Sequence, residues 1–137
     1  MKITVQTHVK VPLQTVWDTW VTPADITQWN FASDDWCCPH AEVDLKPGGV
    51  YRSRMEAKDG SMGFDFVCEI TEVEPGEKLA YKMEDGREVI VHFQREGDGT
   101  AVVETFDAET ENPPDLQQQG WQAILDNFAR HAESKAG

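Results

Sequence analysis

Basic residues are scarce in this chain: twelve Lys plus Arg stand against 25 Asp plus Glu in 137 residues, a net charge of −13. That excludes a general affinity for phosphate backbones or anionic lipid, so no nucleic-acid partner is expected. Long apolar runs are missing as well. The N-terminal stretch MKITVQTHVKVP alternates apolar and polar residues, which argues against a signal peptide or membrane span and for the cytoplasm. Three cysteines, two of them adjacent at Cys37 and Cys38, are too few and too unevenly placed for a disulfide framework, so reduced thiols are expected. There are no repeats. No serine sits in a nucleophile elbow, since Ser33, Ser53, Ser61 and Ser134 fall in loop, strand, turn and tail. Gly48-Gly49 lacks the following helix that a phosphate loop requires. What is present suffices for a core: 39% hydrophobic against 27% charged residues marks one folded domain over residues 1–137.

Ile3, Val5, Val9 and Val11 share one face of a period-two pattern and predict a half-buried strand that Pro12 stops. Val16, Trp17 and Trp20 then follow at helical spacing over residues 12–20. Thr22 as N-cap, Pro23 as first helical residue and Asp25 in the first turn start a second short helix that ends near Trp29. From 41 to 108 the turn chemistry of Pro47-Gly48-Gly49, Asp59-Gly60, Pro75-Gly76, Asp85-Gly86 and Gly97-Asp98-Gly99 separates six strands. Their inward faces read Phe64, Phe66, Cys68, Ile70; Leu79, Tyr81, Met83; Val89, Val91, Phe93; and Val102, Phe106. Asn112-Pro113-Pro114-Asp115 opens a long helix carrying an apolar stripe of Leu116, Trp121, Ile124, Leu125, Phe128 and Ala132, with Ser134 to Gly137 as a frayed end. The fold class is therefore α+β, a helix-grip arrangement: a seven-stranded curved antiparallel sheet wrapped around a long C-terminal helix, two short helices lying between strands 1 and 2.

Val16-Trp17, Thr22-Pro23, Ile26, Gln28-Trp29-Asn30, Asp44-Leu45 before Pro47-Gly48-Gly49, and Gly120-Trp121 with Ile124-Leu125 give the chain a family likeness over essentially its whole length. It resembles the START-like (SRPBCC) superfamily, in the branch similar to the C-terminal domain of the heat-shock-protein ATPase activator and to polyketide cyclase-like proteins. The segment WNFASDDWCCP from Trp29 to Pro39, with Arg54 to Gly60, looks like one subgroup of that branch. The resemblance implies a cavity between sheet and helix that takes hydrophobic or amphipathic small molecules. Carriers, cyclases, resistance proteins and co-chaperone domains share it, so the fold does not choose among them. A co-chaperone of this kind is expected to carry a further N-terminal domain, which ranks that role third.

The stretch Trp29 to His40 concentrates aromatics, carboxylates and thiols between elements. Folded over a cavity mouth, Trp29, Phe31 and Trp36 would supply apolar wall, and Asn30, Asp34 and Asp35 the polar contacts that orient a ligand. Equally, these aromatics complete a small core and Asp34 caps a turn. Cys37, Cys38 and His40 suggest zinc by residue type, but adjacent cysteines diverge and a fourth ligand would have to come from His8 or His92 on polar strand faces. No metal and no cofactor are expected. Glu104 alternates with Val102 and Phe106, so it is expected inward, where it needs a partner or takes a raised pKa suited to acid–base work. Arg52 and Arg54 share a strand face and are the partners available. Tyr81, Met83, Phe93 and Trp121 complete the expected cavity lining, and suit a filled core as well.

Three functions follow in order. The first is binding of a small hydrophobic or aromatic molecule in the internal cavity, through Trp29, Asn30, Phe31, Trp36, Arg54, Tyr81, Met83, Phe93, Glu104 and Trp121. The second is a cofactor-independent cyclase-like or hydrolytic enzyme using Glu104, Asp34 or Asp35. The third is a co-chaperone-like protein-interaction module. Assembly is left open, a homodimer included.

Overall fold

The computed structural model describes residues 1–136. Strand β1 (Lys2–Val9) is followed by helices α1 (Leu13–Val21) and α2 (Pro23–Trp29). Six further strands, β2 (Trp36–Val43), β3 (Val50–Ala57), β4 (Gly63–Glu74), β5 (Lys78–Met83), β6 (Glu88–Glu96) and β7 (Gly99–Asp107), precede helix α3 (Pro114–Ala136). The seven strands form one antiparallel sheet in the order β1-β7-β6-β5-β4-β3-β2, a meander whose first strand returns beside its last. Register shifts between Cys37 and His40 on β2 and between Ile70 and Glu72 on β4 bend the sheet. Its concave face grips α3, as the helix-grip reading expects. No described helix is long and apolar enough to cross a membrane.

The core is the concave layer. Val5, Val89, Val91, Val102 and Phe106 from β1, β6 and β7 are buried with Leu125, Phe128 and Ala132 of α3. Phe128 also packs edge-on against Trp20 (4.8 Å) and Trp29 (5.0 Å), joining α1, α2 and α3. Pro23 begins α2 with Asp25 in its first turn, but the Thr22 side chain makes no capping bond. Asp25 instead reaches across to α3, accepting from His131 Nε2 (3.0 Å) and Lys135 Nζ (2.9 Å). Ser134 and Lys135 are thus part of a helix that runs through Ala136, not a frayed end; Gly137 lies outside the described residues.

Two more expectations are corrected by strand and helix geometry. Leu116 is 55% exposed, and the buried residue at the start of α3 is Gln117. Residue 117 lies one helical step before Trp121, so the stripe runs 117, 121, 124–125, 128, 132. Its amide fastens the preceding loop, accepting from Glu109 N–H and donating to the Glu109 and Asn112 carbonyls. At the other end of the sheet, β2 begins at Trp36, within the stretch read as loop. The β3 approach requires Gly48 at φ +86°, and a side chain at Gly49 would sit 2.0 Å from the Asp44 carbonyl oxygen.

Candidate functional site

Alternation on β3 sets the first boundary of the site. Tyr51, Ser53 and Met55 are buried, while Arg52 and Arg54 lie on the opposite, outer face. There Arg52 reaches Asp65, and Arg54 pairs with Glu56 (2.8 Å) and Asp65. Neither arginine is available to Glu104, so of the two alternatives an inner ion pair is ruled out. A strand with arginines at alternate positions turns both to one side, and here that side is water.

Under α3 the concave face leaves a cavity of about 190 Å³. Tyr51 and Met55 of β3, Phe64 and Phe66 of β4, Tyr81 of β5 and Glu104 of β7 form its floor and sides. Trp20 of α1, Trp29 of α2, the adjoining Asn30, and Trp121 and Ile124 of α3 complete it. Trp121 stacks on Phe106 at 3.9 Å, which fixes its ring over the β7 end of the sheet. Tyr51 and Tyr81 stack face to face at 5.1 Å, and Tyr51 donates to the Trp20 carbonyl at 2.7 Å. Trp29 Nε1–H donates to the Thr19 carbonyl (3.1 Å), and Asn30 Nδ2–H donates to Ser53 Oγ (2.9 Å). These bonds hold the walls while leaving the Glu104 carboxyl and the Trp20 indole N–H without a well-formed protein hydrogen bond.

Glu104 is the chief of them. It is 5% exposed and, among the described residues, neither a basic group nor a hydrogen-bond donor meets its carboxyl. Burial alone pushes its pKa from 4.5 to about 8, because the charged form has lost water and gained nothing in exchange. Both phenols beside it are held well above their ordinary value, first by burial and then by the Glu104 charge. The Tyr81 hydroxyl lies beside the Trp20 indole, whose fully buried N–H has no other partner among the described residues. A buried donor, a hydroxyl and a carboxyl therefore border one aromatic space.

Of the residues expected at this site, Trp29, Asn30, Tyr81, Glu104 and Trp121 are brought together, and seven are not. Phe31 is half-buried outside the cavity, its carbonyl held by Asn127 Nδ2–H of α3. Trp36 packs edge-on against Phe64 (6.1 Å) and does not line the cavity. Arg54 faces out. Met83 sits opposite Cys68 beyond the cavity, and Phe93 lies beneath α1 against Trp17 (5.3 Å) and Trp20 (5.8 Å). Asp34 and Asp35 are exposed, with Asp35 bonded to Ser33, so neither carboxylate enters the cavity. Tyr51 and Met55 stand in the wall where Arg54 is expected, because the β3 register turns the arginines between them to solvent.

Two of the three cysteines, Cys38 and Cys68, are buried thiols of low reactivity. Burial raises the Cys38 thiol and pushes Cys68 to about 12. Among the described residues no three His, Cys, Asp or Glu side chains cluster to hold a metal ion. His40 instead pairs with exposed Glu42, and His8 reaches the Glu96 carbonyl at the far edge strand.

Residues 10–133 match the family of Activator of Hsp90 ATPase homolog 1-like protein. The chain belongs to that family. It is 48% identical to the AHSA1-like protein from Aeromonas hydrophila, whose solution structure superposes with a TM-score of 0.93 over 99% of this chain and 94% of that one. A Cytophaga hutchinsonii protein is 44% identical, with a TM-score of 0.84 over 98% and 94%. A Nitrosomonas europaea protein shares the fold at 17% identity and a TM-score of 0.85 over 99% and 96%. No curated protein matches the chain.

Proposed function

We propose that this AHSA1-like protein is a small-molecule binder whose ligand is a single-ring aromatic or comparably sized apolar compound held between sheet and α3. The observation that carries this reading is Glu104: a buried carboxyl with no internal partner, opening into an aromatic cavity. A purely structural core would fill that space or pair that charge, since an unmet buried polar group costs about 1–3 kcal/mol and a charge more. The volume sets the ligand's size. A dry cavity of about 150 Å³ accommodates benzene, so about 190 Å³ takes one ring with a short substituent and excludes fused-ring polyketides or lipid tails.

The same carboxyl favours a second reading, a cofactor-independent acid–base enzyme. A group titrating near 8 changes protonation in the range where a general acid or base works. Binding comes first because Glu104 stands without a second catalytic carboxylate, Asp34 and Asp35 lying outside. A protein-interaction role is the outcome if the cavity takes nothing.

The test is a tryptophan-fluorescence titration with single-ring aromatics, since Trp20, Trp29 and Trp121 all line the cavity. Saturable quenching that disappears in Ile124→Trp is expected, because the larger side chain occupies the ligand's space from a half-buried position. Equal quenching in the variant would place the ligand elsewhere, and no quenching by any ring compound would remove the proposal.

A further inference from the structure

We propose that the ligand of this cavity is a protonated amine, a single-ring arylalkylammonium whose charged nitrogen sits on the Glu104 carboxylate. This rests on the cavity being a ligand site and adds the chemistry of its occupant.

Three observations converge on a cation. The one carboxyl in the wall, Glu104, has no counter-charge, and no lysine, arginine or histidine is among the lining residues. The rest of the wall is chiefly aromatic, with Trp20, Trp29, Tyr51, Tyr81 and Trp121 presenting ring faces and edges that stabilise an organic cation. The whole chain carries −13, which concentrates cations at its surface and repels anions. An anionic ligand would be compatible only with the protonated carboxyl, and a neutral one could meet it by a hydrogen bond but could not balance its charge. An ammonium group answers both the charge and the missing donor, in a geometry where a desolvated pair is strong.

The cation takes the place of the carboxyl proton. Without ligand, burial keeps Glu104 protonated at neutral pH. On binding, the O–H proton leaves to solvent and a carboxylate–ammonium pair forms, so binding is coupled to release of one proton. Affinity therefore rises about tenfold per pH unit from pH 6 toward 8 and levels off above. No other ionised group competes for this role. The titratable neighbours facing Glu104 are the Tyr51 and Tyr81 phenols, with the Cys38 and Cys68 thiols beyond, all raised by burial and neutral in this range. Flanking strands present Val5 and Val91 at its level, and α1, α2 and α3 present tryptophans, Asn30 and Ile124.

Calorimetric titration with benzylamine, benzyl alcohol and benzoate, each in two buffers of different ionisation enthalpy, tests this. At pH 8 benzylamine is expected to bind at least about tenfold more tightly than benzyl alcohol, with benzoate weakest. At pH 7 its binding should release close to one proton. Glu104→Gln should erase the preference while retaining benzyl alcohol. Benzyl alcohol binding as tightly as benzylamine, or benzylamine binding without proton release, overturns the amine assignment and leaves the cavity a ligand site. Failure of all three probes overturns the cavity reading itself. The proton release and pH dependence are read on the unaltered protein, so the outcome stands whatever the variant's fold.

Discussion

Replacing Glu104 by glutamine removes the charge while keeping the side chain's shape, and its effect on stability is set by where the carboxyl titrates. In the unfolded chain Glu104 ionises near 4.5; in the folded protein burial holds its proton until about pH 8. At about 1.4 kcal/mol per pH unit, this difference amounts to about 5 kcal/mol once both states are ionised, and about 3 kcal/mol at pH 7. The sign follows from proton binding. Between those two values the folded state holds a proton that the unfolded state has released, so raising the pH favours unfolding. Wild-type stability is therefore expected to fall from about pH 5 to about pH 9 by this amount relative to Glu104→Gln, and the two curves to converge below the lower value. Asp25 and Asp107, held below their ordinary range, act only at more acid pH and are common to both proteins. Urea titrations of both proteins across that range give the difference directly. Parallel stability curves would refute the reasoning, because they would mean that Glu104 meets water or a partner in the folded state. For a domain whose total stability is about 5–15 kcal/mol, the effect is large enough to read without ambiguity.

Phe128→Ala, which empties the contact among Trp20, Trp29 and α3, should cost about 3–5 kcal/mol in a denaturant titration; a loss below about 1 kcal/mol would contradict the grip of the helix on the sheet. Asp25→Asn should weaken the α2–α3 tie by about 1–3 kcal/mol at pH 7. Burial raises the Asp25 pKa, but Lys135 and His131 outweigh it and hold the carboxyl low. Its contribution is present above the unfolded value near 3.8 and is lost as pH falls through the lower folded one, so wild type and variant should converge in acid.

The order of elements could be read because each is punctuated locally: Pro12 and Pro23 at helix starts, glycine turns between strands, and an inward face that repeats every second residue. Glu104 was legible for the same reason, lying between two residues that had to be buried. The β3 face was not, since Tyr51-Arg52-Ser53-Arg54-Met55 alternates either way and only the partner strands decide which set meets the core. The start of β2 was hidden by Pro39, which a central strand would not tolerate but an edge strand does. Leu116 fits the stripe by hydrophobicity but not by helical phase, and a buried glutamine that ties down a loop has no compositional signature. The cavity's limits depend on how α3 lies across four strands, information spread over contacts distant in sequence. Phe93 and Met83 therefore read as lining on alternation alone, although both lie beyond the cavity.

Resonance mapping of a bound ring compound tests the central claim most directly. With benzylamine or benzyl alcohol added to saturation, the Trp20 indole N–H, the Met55 methyl and the Ile124 methyls should shift together along one saturable curve, since all three residues border the cavity. The exposed side chains of Met62 and Leu116 should stay in place. Shifts confined to those exposed residues, or no saturable shift at Trp20, Met55 and Ile124 with any single-ring compound, would contradict the account.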